Sequence, residues 1–320
     1  MRRRHLIPVL ALGVVALAPR AGAAASSACT TINAFADFVA LSHRTAGTSS
    51  EEQLMRFHQD FLARYAALYT PEAVGLSVGP TLDGDALGAL AAIRGNPALE
   101  GLDERLARDL PSVAAAFGRA FPDFRCDFPI YLAPTFGQLD GAGRIVAGRP
   151  SLVLGVDMIA RVESDAQLPV FLAHELFHRY NFQVAGFSDD EGERGLIWRT
   201  LWAEGLATYV SARLNPDRPL SDALILPRDL EARAAPLTPM LAKELIGGLD
   251  RVDRRLYGEF FEYGDKTAAA RGIPWRSGYY IGYLVARELG RTHTLEQLAH
   301  MQGPELRRDI RQALETLAKD

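Results

Sequence analysis

Residues 173–178 read AHELFH, and Glu204 stands 26 residues past the second histidine, in LWAEGLATYV. On an α-helix His174 and His178 fall about 40° apart on one face, with a rise of about 6 Å between them. Two imidazoles so placed can converge on one ion at Zn–N distances of about 2.0–2.1 Å. Glu175 is rotated by about 100° and points beside such an ion, where a carboxylate can hold and deprotonate a metal-activated water. Zinc brings the pKa of that water to about 7, so hydroxide is within reach at neutral pH. The plain alternative is a helix whose two histidines satisfy each other and solvent. The setting argues against it: Val170, Phe171, Leu172, Leu176 and Phe177 make the stretch apolar, and polar groups there need a reason to be buried.

A catalytic zinc has three protein ligands and one open position. Glu204 is the carboxylate in an otherwise apolar helical segment with Leu201, Trp202, Leu206, Tyr209 and Val210, and Gly205 beside it permits close helix approach. Taken alone it reads as a surface glutamate on an amphipathic helix; paired with HELFH it reads as the third ligand. His43 and His58 have no partner at ligand spacing and read as ordinary histidines. Asp189, Asp190, Glu191 and Glu193 form an acidic turn without the spacing of a calcium loop.

The elements that must position these groups are mostly helical. From Thr30 to Phe121 the pattern is helical, with breaks at 47–50, 70–71 and 79–84; Ser50 can cap a helix carrying Leu54, Phe57, Phe61, Leu62 and Tyr65 at 3.6-residue spacing. After Cys126, FPIYLAP and PSLVLGVDM are short apolar runs bounded by Pro and Gly, with a further strand at 144–147 and a D-G turn signal between them. They predict a small sheet of antiparallel character over 128–157, with Pro150 at the start of an edge strand. Pro169 opens the HELFH helix, and a second helix spans 196–214. SGYYIGYLVARELG is helical, Thr294 and Gln297 form a capping box, and GPELRRDIRQALETLA is an amphipathic last helix.

HExxH followed by W-x-E-G-L-A-T-Y resembles the gluzincin metallopeptidases, thermolysin-like in site geometry. The chain most resembles the bacterial group of predicted zinc-dependent proteases with a downstream GYxxGY, here Gly278 to Tyr283. The resemblance spans residues 129–290 and is specific at three short motifs. It implies an α+β fold, mostly helical, a zincin-like catalytic core with a small mixed or antiparallel sheet and active-site helices. It implies one zinc per chain on His174, His178 and Glu204, with Glu175 as general base and acid. It also implies an edge strand within 143–156 that aligns an extended peptide substrate by β-addition. With no histidine between Glu204 and His293, the oxyanion donor is sought among tyrosines: Tyr279 matches the first GY, with Tyr280 and Tyr283 as alternatives. Two positions depart from the pattern. Arg179 follows the second histidine where an uncharged residue is usual. Thr208 stands four past Glu204 where an aspartate usually holds a ligand histidine, a task open to Thr208 or to Asp157.

The chain as a whole has 320 residues, 48% of them apolar, and a net charge of −4, which suits a folded protein and gives no footprint for nucleic acid. Arg2, Arg3 and Arg4, an apolar run from Leu6 to Ala18 and an A-x-A site at residues 21–23 read as a signal peptide over 1–23. The expected organisation is that segment, a helical region over 24–125 and a metallopeptidase domain over 126–320 with C-terminal helices. No later stretch is apolar enough to span a membrane. The expectation is therefore an exported peptidase, periplasmic or extracellular. Cys29 and Cys126 can pair in an oxidising compartment; lipid attachment at Cys29 is the alternative. The competing function is a secreted binding or scaffold protein with a structural or vestigial zinc, and a non-protein amide is a further substrate.

Overall fold

Thr30–Asn33 forms a strand, β1, where periodicity alone suggests helix. The structure, a computed structural model, describes residues 29–319 except 97, 100, 163–166 and 188–194, so the leader and the acidic turn at 189–193 lie outside the described residues. The other strands are β2 (Pro129–Ala133), β3 (Gly141–Val146) and β4 (Arg149–Gly155). They form one mixed sheet in the order β1-β2-β4-β3. The pairs β1–β2 and β2–β4 are parallel, and only β3–β4 is antiparallel. The antiparallel character expected across 128–157 thus holds for the last pair alone. Parallel neighbours need long crossovers, and the helices between Asn33 and Pro129 supply the first one.

β4 lies inside the sheet, so Pro150 is not on an edge strand. It pairs with Ile145 of β3, while the pairing with β2 begins only at Leu152. Proline is tolerated there because β4 has a single neighbour at that point. The hairpin turns at Ala147-Gly148, both with positive φ, which suits the twist of a two-residue turn. The D-G pair expected to turn instead precedes β3: Asp140 Oδ1 accepts the Gly141 N–H at 2.8 Å.

Cys29 and Cys126 form a disulfide with Cα atoms 5.0 Å apart, tying the approach to β1 to the approach to β2. The bond occupies the sulfur that a lipid on Cys29 would need. The double variant Cys29→Ser/Cys126→Ser is expected to lose about 3–5 kcal/mol, because the bridge closes a long loop of the unfolded chain. Urea unfolding of both proteins measures the loss; two free thiols in the purified protein by mass spectrometry would remove its basis.

The helices run α1 (Ala34–Arg44), α2 (Ser50–Arg56), α3 (Pro80–Arg94), α4 (Leu102–Ala120), α5 (Val156–Val162), α6 (Leu168–Ala185) and α7 (Ile197–Leu214). α8 (Leu220–Ala223), α9 (Leu230–Ala234), α10 (Thr238–Gly248) and α11 (Arg254–Phe261) follow. The chain ends with α12 (Lys266–Ala270), α13 (Ser277–Leu289), α14 (Leu295–His300) and α15 (Gly303–Leu317). Ser49, one residue before the expected cap, accepts the Glu52 N–H at the start of α2, and π and 3-10 turns carry that helix on to Leu68. α3 passes through Gly84, where a break was expected. The capping box at Thr294 and Gln297 is formed.

α6 starts with Pro169 in its first turn and stops at Gly186, whose left-handed φ of 71° a glycine adopts without strain. It is buried almost all round, as its apolar sequence requires. α6 packs on α7 and α4, and α7 packs on α13. The contact between α7 and α13 runs through Gly205 and Gly282: a Cβ on either would overlap the other helix's backbone. The close approach expected at Gly205 is therefore met by a second glycine from GYYIGY. Among the described residues no helix is long and apolar enough to cross a membrane.

Candidate metal centre

Three side chains from two helices converge. α6 presents His174 and His178, and their Nε2 atoms stand 3.0 Å apart. α7 presents Glu204, whose Oε2 lies 3.5 Å from His174 Nε2 and 3.4 Å from His178 Nε2. Two ligand atoms each about 2.05 Å from a tetrahedral ion stand about 3.3 Å apart. The spacing of the trio and its two-imidazole, one-carboxylate donor set both fit zinc. Among the described residues this is the one group of His, Cys, Asp and Glu that could hold a metal. His43 is exposed, and His58 contacts Asp83 at 2.7 Å, both apart from it.

The charge states suit the same purpose. Burial lowers the pKa of His174, with the charges of His178 and Arg276 acting in the same sense and Glu204 opposing them. Burial works to raise the Glu204 carboxyl, but the two imidazoles outweigh it and hold the group well below the usual carboxylate range. A neutral imidazole and an ionised carboxylate are the forms that bind metal.

Glu175 is buried beside the trio, under the first residue of β3. A Cβ at Gly141 would collide with the Glu175 carboxyl group, so glycine is what lets β3 and α6 share that space. β3 is one of the two edge strands of the sheet, so of the stretch 143–156 only the part in β3, up to Val146, lies on an edge and β4 does not. A cleft of about 160 Å³ opens over the trio, lined by Asp140, Gly141, Ala142 and Arg144 from the β3 side and by Ile225, Arg276 and Tyr279 opposite.

Of the three tyrosines, Tyr279 lines this cleft. Its ring stacks on His174 with centroids 6.4 Å apart and planes 18° from parallel. Burial pushes its hydroxyl well above the usual phenol range, with Arg276 opposing and Glu204 adding to the rise, so it stays a donor. Tyr283 packs on Tyr209 with centroids 6.0 Å apart, and Tyr280 is buried against Thr238. Arg179 is buried with its guanidinium over Phe128 and Phe182, 5.3 and 5.1 Å from their centroids.

Neither expected holder of a ligand histidine takes that role. Thr208 Oγ1 donates to the Glu204 carbonyl at 2.8 Å. Asp157 accepts from Thr135 N at 2.7 Å and Gly137 N at 2.9 Å, fixing the turn after β2. His174 Nδ1 is buried without a hydrogen-bond partner among the described residues. The sequence reading also missed Asp140, Gly141, Arg144, Ile225 and Arg276. For Arg276 a signal existed: it lies three residues before Tyr279, one helical turn away.

Comparison with known proteins yields no relative: no family model, no curated protein and no solved structure matches the chain.

Proposed function

We propose that the protein is an exported, zinc-dependent peptidase that hydrolyses peptide bonds. The observation that carries this is the convergence of His174, His178 and Glu204 at 3.0–3.5 Å in a cleft, with Glu175 directly alongside. His174, His178 and Glu204 would hold the metal; zinc bound there supplies a Lewis acid and an acidified water. Glu175 takes a proton from the attacking water and delivers it to the leaving amine. Tyr279 donates its hydroxyl to the oxygen on which negative charge develops. The free edge of β3 aligns an extended peptide through main-chain hydrogen bonds.

A binding or scaffold protein with a structural zinc would call for a fourth protein ligand, commonly Cys. Both cysteines are engaged in the disulfide, which supports the open, catalytic reading and, with it, export to an oxidising compartment. Elemental analysis of the purified full chain is expected to give about one zinc, and hydrolysis of an unstructured protein should stop with chelator and return with zinc. A protein that binds no zinc would sink this reading.

A further inference from the structure

Asp140, Arg144 and Arg276 are charged groups at the cleft for which the hydrolytic roles above have no use, and of these Arg276 lies against Tyr279. It precedes α13 in the left-handed region, at φ 61° and ψ 18°. Ile225 on the same cleft is held at φ 65°. Non-glycine residues in that region cost on the order of 1–3 kcal/mol each and gather at functional sites. The guanidinium carbon lies 3.8 Å from the centroid of the Tyr279 ring. Its guanidinium makes no hydrogen bond or ion pair among the described residues, and its Nε is buried without a partner there.

Several other arginines of this chain, more open to solvent or as open as Arg276, have carboxylates. Arg271 meets Glu244 and Glu259, Arg218 meets Asp222, and Arg311 meets Asp250. None of the carboxylates in the cleft pairs with Arg276: Asp140 accepts the Gly141 N–H, Glu204 faces the two histidines and Glu175 lies under Gly141. A planar fork of donors matches a carboxylate bidentately. The anion that completes Arg276 therefore comes from outside, into the cleft that holds the trio.

We infer that Arg276 binds a carboxylate of the substrate, which makes the site selective for short peptides with an anionic group next to the bond that is cut. This rests on the hydrolase reading above. A cleft of about 160 Å³ is smaller than the roughly 300–1,000 Å³ of ordinary small-molecule pockets, so it takes only the part of a peptide next to the cut bond. Ile225 supplies an apolar wall beside the cation. The carboxylate comes from a chain end or from an acidic side chain; the chemistry is shared.

The test uses N-acetyl-alanyl-leucine as free acid, the same peptide as amide, and N-acetyl-alanyl-glutamate α-amide. Calorimetry measures their binding to the zinc-loaded Glu175→Gln chain and to the EDTA-stripped chain, so that affinity is read without turnover. At least one anionic peptide is expected to bind about 10-fold or more tighter than the leucine amide in both forms. Preference for the free acid identifies a chain end, and preference for the glutamate amide an acidic side chain. In Arg276→Gln the preference should fall to within about twofold, while Arg276→Lys, which keeps the charge and loses the fork, should retain part of it. Near-UV circular dichroism confirms that both variants are folded. Equal binding of the three peptides, or a preference that survives Arg276→Gln, overturns the inference. An equal fall in kcat for acid and amide in Arg276→Gln would place the residue on the transition state and overturn it as well. Retained binding preference with no cleavage of any peptide or protein would sink the hydrolase reading and leave the Arg276 assignment standing.

Discussion

Glu175→Gln is expected to retain about one zinc per chain and to lose peptidase activity by a factor of 10³ or more. The variant keeps the shape of the side chain under Gly141 and leaves all three converging atoms in place. What it loses is the ability to take a proton from water and return it to the leaving amine. Glu204→Gln is its counterpart and should fail in the opposite order. There the anionic partner of two histidines becomes a poor neutral ligand, so zinc is lost or weakened and added zinc restores activity only in part. Zinc by elemental analysis and hydrolysis of an unstructured protein separate the two. Full zinc and full activity in Glu204→Gln would remove that residue from the metal. Full activity in Glu175→Gln would end the mechanism.

The metal trio was legible because it depends on one short-range rule. Four residues on a helix bring two side chains to one face, and the helix in turn was legible from Pro169 and its apolar run. Glu204 was legible as the odd carboxylate in the other apolar helix. The two helices meet where Gly205 faces Gly282, and the sequence shows the first of these glycines as a contact but not its partner. What stayed hidden depends on distant pairing. β1 has four residues, too few for a pattern, and is a strand because β2 lies beside it. The parallel order of β1, β2 and β4 follows from crossovers that no local window contains. Asp157 was a reasonable candidate to hold a histidine, yet it ties down a turn 20 residues earlier in the chain. Arg276 was passed over despite standing three residues before Tyr279, since its lack of an ion pair is a property of three dimensions and leaves no trace in composition.

Tyr279→Phe is expected to lower kcat by roughly 10²–10³ with zinc content unchanged, the usual effect of removing one oxyanion donor. The substitution isolates the hydroxyl. Phenylalanine keeps the ring that stacks on His174 at 6.4 Å and that carries Arg276 over its face, so the walls of the cleft stay in place. The helix is unaffected too, because α13 is held by Gly278 against Phe261 and by Gly282 against α7. A buried phenol is protonated at neutral pH, and the one hydrogen it offers is worth most when the carbonyl oxygen has become an anion. The loss should therefore appear in kcat more than in KM. Tyr280 and Tyr283 serve as internal controls, since Tyr280 is buried against Thr238 and Tyr283 packs on Tyr209, away from the cleft. Their phenylalanine variants should stay within a few-fold of the parent protein. An unchanged kcat in Tyr279→Phe would assign that ring to packing alone, and the charge on the oxygen would then fall to the metal.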